Sequence, residues 1–146
     1  MEFSGSETIK APREKVFDFL TDPKNFSSGI PDIKKIEIIS PEKFKVVAKL
    51  GISFIRGTFT IDFDVVEKER PSHARLKGHG TGVGSAVDMD IVVDLEEQDS
   101  NTILKWKADA KVSGMLASLG QRMLGSVAEK IAREIFENIH KGMEKC

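Results

Sequence analysis

The sequence predicts an α+β fold in which a curved seven-stranded antiparallel sheet wraps around a long C-terminal helix, with two short helices after the first strand. Three observations predict it. Segments in which apolar and charged residues alternate recur at hairpin spacing between residues 33 and 112. A longer segment after Ser113 carries apolar residues at i, i+4 spacing. Between residues 11 and 28, prolines and short apolar groups are typical of two short helices.

The predicted strands each have one apolar face and one charged face. In the fourth of them, Asp62 and Asp64 alternate with Phe63. If that strand forms a hairpin with the next, Asp62 and Asp64 fall near Lys77 and Arg75 on the solvent face, where opposite charges attract. Short loops between successive strands give an antiparallel meander with one buried face. The predicted strands cover residues 2–10, 33–40, 43–50, 53–66, 72–80, 83–96 and 101–112.

Three helices are predicted from their start signals and apolar spacing. Pro12 suits the first turn of a short helix, where a missing N–H leaves no hydrogen bond unmade. Asp22 is a typical N-cap, and Pro23 follows it at the first position of a second short helix. Ser113 is predicted to cap a third helix that runs to about Met143 and spans roughly 45 Å. Its two apolar ridges are Leu119, Met123, Val127, Ile131, Ile135, Ile139 and Met143, and Leu116, Leu124, Ala128, Ala132 and Phe136.

The composition excludes several classes of protein. The 146 residues, 40% of them hydrophobic, fit one domain spanning residues 1–146 with a substantial core. The net charge is −1, without the clustered Lys and Arg of a nucleic-acid-binding face. The single cysteine, Cys146, allows neither an internal disulfide nor a cysteine-based metal site. No apolar run reaches the length of a membrane span and the N-terminus lacks a signal-peptide pattern. We therefore expect a cytoplasmic protein, with peripheral membrane contact left open.

The predicted arrangement leaves space between the helix and the sheet, because a straight helix cannot touch every strand of a curved sheet. Side chains or a ligand fill that space. Gly114, Gly120 and Gly125 occupy little volume, which favours a ligand, a hinge or a mobile entrance. The alternative is ordinary core packing, with the strand glycines serving bulges and turns. The expected ligand-binding walls are Phe44, Phe59, Phe63, Met89, Trp106, Met115, Leu119 and Met123.

Few titratable side chains are expected on the inner face of the sheet. His73 and His79 share an outward strand face, and His140 lies near the end of the long helix, where a cation is favoured. These histidines lack the spacing of zinc ligands. In the alternation along the predicted first strand, Glu7 falls on the side of the inward-facing residues. It is therefore either a buried acid or a strand-end group open to water. We predict no catalytic residue, no metal and no intrinsic cofactor, and thus a protein that is not an enzyme.

Several segments carry a family resemblance. They are residues 9–20 (IKAPREKVFDFL), Asp22-Pro23, residues 29–31 (GIP), residues 78–86 (GHGTGVGSA) and residues 112–122 (VSGMLASLGQR). Together with the order of elements, they resemble the START-like, or SRPBCC, helix-grip superfamily, and are most similar to the G-subunit family of carbon monoxide dehydrogenase. The resemblance covers the whole chain, and its last segment is the more specific one.

The resemblance implies a binding protein and not a defined catalyst. The superfamily uses its cavity for lipids, sterols, polyketides and other hydrophobic molecules, and a minority of its members are cyclases or hydrolases. The G-subunit family is associated with molybdenum-flavin carbon monoxide dehydrogenase, and with its attachment to the membrane or electron delivery there. A quinone-type ligand would fit that role. Family members with an extra C-terminal segment have a candidate anchor; this sequence ends at Cys146, so we expect no anchoring of that kind.

Three hypotheses follow. In the first, the chain is a carrier or sensor for a hydrophobic small molecule of lipid or quinone type, as an accessory subunit of a carbon monoxide dehydrogenase-type complex. In the second, it is an interaction or assembly subunit with an incidental cavity. In the third, it is a small cyclase or hydrolase, which would need polar groups converging inside the cavity.

Overall fold

The computed structural model describes residues 1–52 and 54–144, and it confirms the predicted α+β fold. Seven antiparallel strands form one sheet in the order β1-β7-β6-β5-β4-β3-β2. Ser53, at the start of the predicted fourth strand, and Cys146 lie outside the described residues. The elements are β1 (Glu2–Ile9), α1 (Arg13–Thr21), α2 (Pro23–Ser28), β2 (Ile33–Ser40), β3 (Lys43–Ile52), β4 (Ile55–Glu69), β5 (His73–Gly82), β6 (Ser85–Gln98), β7 (Asn101–Gly114), a 3₁₀ helix (Met115–Leu119) and α3 (Gly120–Glu144).

The predicted cap of α2 is confirmed. The Asp22 carboxylate accepts a hydrogen bond from the Lys24 backbone N–H at 3.0 Å, and Pro23 occupies the first helical position. One of the otherwise unpaired N–H groups at the helix start is thereby satisfied. The Gly29 N–H closes the other end of α2 by donating to the Phe26 carbonyl at 3.1 Å.

The predicted start of the long helix at Ser113 is wrong. Ser113 still lies in β7, opposite Ala86, and the strand ends at Gly114. Gly114 has φ +82° and ψ −150°, a conformation open almost only to glycine, and a Cβ there would collide with the Gly84 carbonyl oxygen. The chain therefore turns at Gly114. The Ser85 hydroxyl, and not Ser113, accepts the Leu116 N–H at 2.8 Å.

Three groups of buried apolar side chains form the core. The first, at the C-terminal end of α3, we call the C-terminal cluster; the second, under α2, the phenylalanine cluster; and the third, around the start of α3, the tip cluster. The buried members are Ile9, Ala11, Val16, Phe17, Leu95, Leu104, Ile139 and Met143 in the C-terminal cluster, Phe44, Val46 and Phe63 in the phenylalanine cluster, and Ile55, Phe59 and Leu116 in the tip cluster.

The outer face of the sheet carries a connected set of ion pairs. Asp62 and Asp64 lie opposite His79 and Lys77, two residues from the predicted pairing, and a bulge before Glu67 places Glu67, and not an aspartate of β4, opposite Arg75. Arg75 donates to both carboxylate oxygens of Asp90, at 2.8 and 2.6 Å, and to Glu67 at 3.0 Å. The hydrogen bond from Arg75 holds the pKa of the Asp90 carboxyl below its ordinary value.

His73 joins the same set through both of its ring nitrogens. Its Nδ1 lies 2.8 Å from an Asp94 oxygen and its Nε2 lies 3.1 Å from a Glu67 oxygen. Two carboxylate acceptors favour the imidazolium, in which both nitrogens are donors. The pKa of His73 is raised from its ordinary 6.5 by the hydrogen bond to Asp94 first, and by that to Glu67, against an opposing effect of burial.

A pH dependence of stability follows from His73. Because its pKa is higher in the folded than in the unfolded chain, its contribution is complete below pH 6.5 and is lost as the pH rises through the folded-state pKa. We expect the melting temperature to decline over that window in the wild type and to decline less in His73→Gln. Thermal unfolding at successive pH values tests this, and parallel curves for the two proteins would contradict it.

Candidate ligand site between the sheet and the C-terminal helix

The inner face of the central strands carries apolar or small side chains. Residues paired across antiparallel strands share a face, and the register joins Leu76 to Ile91 and Ile91 to Ala108. The next inner row joins Gly78 to Met89 and Met89 to Ala110. The inner residues of β5, β6 and β7 in this region are Ala74, Leu76, Gly78, Met89, Ile91, Val93, Trp106, Ala108 and Ala110.

Helix α3 is fixed to the sheet at its two ends. Ile139 and Met143 are buried in the C-terminal cluster. At the other end, Leu124 packs against the tip cluster. These two contacts hold the two ends of the helix against the concave face of the sheet.

The middle of α3 spans a gap. Val127 and Ile131 are half-buried and, among the described residues, lie outside all three clusters. On the inner face of the sheet, Ile91 and Ala108 are also half-buried and outside the clusters. Apolar side chains that stay half-buried both on the helix and on the inner face of the sheet indicate unfilled space between the two. We call this space the gap.

An opening is present at the edge of the sheet between β1 and α3. A cleft of about 460 Å³ lies there, a volume within the usual range of small-molecule sites. The rings of Trp106 and Phe136 lie in its lining with their centroids 5.9 Å apart. Polar and charged side chains accompany the apolar ones. The lining is formed by Glu2, Phe3, Ser4, Gly5, Ser6, Glu7, Trp106, Ala128, Glu129, Ala132, Arg133 and Phe136.

Gly5 gives Trp106 its place in the cleft. The two residues are paired across β1 and β7, and a Cβ on Gly5 would lie 2.7 Å from the indole Nε1. Only a residue without a side chain allows the indole this close to the edge strand. The single tryptophan of the chain is thus positioned beside the opening of the gap.

The predicted aromatic wall residues lie in different parts of this arrangement. Phe44 and Phe63 are stacked, with ring centroids 5.1 Å apart, and Phe26 packs edge-on against both. Phe59 is buried in the tip cluster. Trp106 alone among the four predicted aromatic residues lines the β1 cleft. The structure therefore places the three phenylalanines in packed groups outside the lining of that cleft.

The other predicted wall residues are more scattered. Met89 is half-buried on the inner face and packs against the phenylalanine cluster, and Leu119 packs against the tip cluster. Met115 and Met123 are 47% and 42% exposed, which is unusual for large apolar side chains. These two methionines lie at the outer end of the molecule, beyond the gap.

Several residues of the cleft were not predicted from the sequence. Ala128, Ala132 and Phe136 belong to an apolar ridge that the helical spacing identified, but nothing in that spacing showed which ridge faces the opening. Phe3 lies within the predicted first strand, residues 2–10, without having been identified as a wall residue. The missing information was the pairing of β1 with β7, which brings Phe3 beside Trp106.

The titratable groups near the gap are sparse. Glu7 lies opposite Leu104 on the inner face, and its carboxylate is 3.8 Å from the His140 ring nitrogen. Both side chains are 39% exposed, as expected for a strand-end group open to water. On the outer face, Glu67, Glu69 and His73 bring ligand atoms within 4.8 Å of one another, which could hold a metal ion. Glu67 and His73 already form a hydrogen bond with each other, and Glu67 also accepts one from Arg75.

Comparisons with known proteins give a family and a fold. A model of the carbon monoxide dehydrogenase G-subunit (CoxG) family matches residues 5–143. A conserved protein from Geobacillus kaustophilus is 32% identical, with a TM-score of 0.92 over 99% of this chain and 96% of that one. Comparison with curated proteins gave no match. Within the described residues, none of the helices combines the length and apolar character that crossing a bilayer requires.

More distant structures share the fold alone. A START superfamily protein from Mycobacterium smegmatis is 12% identical, with a TM-score of 0.78 over 99% of this chain and 97% of that one. The Zhui aromatase/cyclase from Streptomyces sp. R1128 is 17% identical, with a TM-score of 0.68 over 99% of this chain and 94% of that one. These likenesses confirm the predicted helix-grip fold of the START-like proteins.

Proposed function

The chain belongs to the carbon monoxide dehydrogenase G-subunit (CoxG) family, and from that premise we propose that it binds one hydrophobic small molecule, of lipid or quinone type, in the gap. The observation that carries this proposal is the middle of α3, where half-buried apolar side chains face a half-buried apolar sheet. A ligand there removes apolar surface from water on both sides, at roughly 25 cal/mol per Å². The whole chain, residues 1–146, acts as one ligand-binding domain.

The cleft between β1 and α3 supports a ligand with an apolar body and a polar end. Phe3, Ala128, Ala132 and Phe136 offer apolar contact, and Trp106 adds a flat aromatic surface suited to a quinone ring. Exposed Glu129 and Arg133 lie at the same opening, where a polar end would remain hydrated. The other seven predicted wall residues lie outside the lining of this cleft, in or against the phenylalanine and tip clusters or, for Met115 and Met123, exposed.

The ligand is bound without being transformed. Catalysis on an apolar ligand would need acids, bases or nucleophiles converging on it, and the titratable pair Glu7 and His140 is solvent-exposed at one end of the gap. The likeness to an aromatase/cyclase is one of fold, which does not carry an activity. The family description supports an accessory role beside a carbon monoxide dehydrogenase-type complex. We propose the cytoplasm as the place of that role.

An assembly role with an incidental cavity is the competing interpretation of the same family membership. The two differ in what an isolated chain does. A carrier binds its ligand alone, whereas an assembly subunit with an incidental cavity needs only its protein partner.

Trp106 provides the direct test of ligand binding. It is the single tryptophan and it lies in the cleft, so a quinone bound there quenches its fluorescence on contact. We expect titration with a short-chain ubiquinone analogue to give saturable quenching with one site per chain. Linear quenching that matches that of the urea-unfolded chain would show only collisions in solution and would contradict the proposal.

A further inference from the structure

Strand β2 is one of the two edges of the sheet and pairs with β3 alone. An edge strand directs a row of backbone N–H and C=O groups away from the sheet, and another strand can pair with them. At the other edge, β1 has α3 beside it across the cleft. Five of the eight residues of β2 are exposed, among them Ile38 at 50% and Ile39 at 63%. The edge at β2 is therefore open to a partner strand.

Two exposed charges of β2 point to the outer face without a partner there. Lys35 lies opposite Val47, and Glu37 lies opposite Lys45, whose ammonium group is instead 3.8 Å from Asp62. Among the residues that the structure describes, neither Lys35 nor Glu37 takes part in an ion pair. Both are thus available to opposite charges from outside the chain.

The spacing of these two charges is self-complementary. When two copies of β2 pair antiparallel about a two-fold axis perpendicular to the sheet, directly opposite residues lie on the same face. With Ile36 on the axis, Lys35 of each copy lies opposite Glu37 of the other, which gives two pairs of opposite charge. Moving the axis to Lys35 or to Glu37 would instead place two like charges opposite each other. The charge pattern therefore favours one register.

We propose that the chain forms a homodimer through β2, in which the two sheets join edge to edge with Ile36 at the centre. Backbone hydrogen bonds between the two strands hold the copies together, and the two charge pairs fix the register. Ile38 of each copy lies opposite Lys34 of the other, whose aliphatic stem covers apolar surface. The ladder of β2 with β3 is irregular at Lys34 and at Ile39, which limits the regular contact to a short segment.

The dimer leaves the ligand cleft free. The cleft lies at β1, and β1 and β2 are the first and last strands of the sheet. Because each copy offers one open edge, the pairing closes at two chains. The homodimer therefore does not depend on the proposed function, and quenching of Trp106 by a quinone should be the same in dimeric and monomeric variants.

Sedimentation velocity at increasing concentrations of the full chain tests the dimer. We expect the wild type to shift from monomer to dimer as the concentration rises. Lys35→Glu and Glu37→Lys each turn both attractions into repulsions, because the two-fold axis repeats every contact. Each should raise the dissociation constant of the dimer roughly tenfold or more.

Combinations of these reversals distinguish the proposed register from other causes of association. The double variant Lys35→Glu/Glu37→Lys exchanges the two charges and should dimerise like the wild type. When the two single variants are mixed in equal amounts, one chain has two acidic residues at these positions and the other has two basic ones. We therefore expect a dimer that contains one chain of each kind.

Matched controls come from exposed charges remote from β2. Lys107→Glu in β7 and Glu97→Lys in β6 make the same changes of charge and should leave the dissociation constant unchanged. A wild type that stays monomeric at all concentrations would overturn the proposal. Equal losses in the β2 variants and the controls would also overturn it, as would single variants that fail to associate when they are mixed.

Discussion

Ile139→Ala is expected to lower the free energy of unfolding by about 2–5 kcal/mol, whereas Ile131→Ala should lower it by about 1 kcal/mol or less. The two residues lie eight positions apart on one ridge of α3. Ile139 is 3% exposed in the C-terminal cluster, so its truncation leaves a cavity among fixed neighbours. Ile131 faces the gap, where there is less packing to lose, and alanine has the higher helix propensity.

Urea unfolding of both variants measures this difference. The wild type and the two variants should share one m-value, since a change in m would indicate an altered denatured state or a populated intermediate. Equal losses for Ile131→Ala and Ile139→Ala would contradict the gap, because they would show that α3 packs on the sheet along its whole length.

Ala128→Phe is expected to abolish most ligand binding while the protein stays folded. Ala128 lines the cleft, and an added phenyl ring occupies space that the ligand would otherwise use. If it displaces about 100 Å² of ligand contact, the loss is about 2.5 kcal/mol, or roughly a hundredfold in affinity. Phenylalanine is also chosen because it keeps Trp106 as the single fluorescent reporter.

Lys130→Phe is the matched control. Lys130 lies two positions further along the same helix and is exposed. The substitution introduces the same ring on the solvent face, so quinone quenching should be as in the wild type. Unchanged affinity in Ala128→Phe, or an equal loss in Lys130→Phe, would place the ligand elsewhere.

Most of the sheet could be predicted from the sequence, because an antiparallel sheet with one buried face has a period-two pattern that reflects its register. Phe63, buried between the exposed Asp62 and the half-buried Asp64 of β4, is an example. The bulge before Glu67 could not be predicted, since one extra residue in a charged strand leaves the alternation on both sides intact. That bulge places Glu67 opposite Arg75, which donates to it.

The start of the long helix was mispredicted because two structures share one apolar spacing. Leu116 and Leu119 fit an α-helix, and they equally fit the 3₁₀ helix that the chain adopts. The deciding features are the positive φ angles at Gly114 and Gly120, which a sequence shows only as glycines. The space between the sheet and the long helix, predicted from small residues and an amphipathic helix, stays a prediction.

The opening of that space was not predictable in the same way. The cleft depends on β1 pairing with β7, a contact between the first and last strands of the chain, and on which ridge of α3 faces that edge. Local sequence patterns define neither this strand pairing nor the orientation of the helix ridges. Trp106 was therefore predicted as a wall residue, while its neighbours Phe3 and Phe136 were not.

Native mass spectrometry of the gently purified chain tests the proposed ligand binding most directly. The chain is incubated with a membrane lipid extract that contains quinones, and the mass spectrum is followed by organic extraction and identification of what was bound. We expect one quinone or other isoprenoid lipid per chain, and its loss in Ala128→Phe but not in Lys130→Phe. A chain that stays free of ligand after this incubation would contradict the carrier role and favour a protein that works through its outer surface.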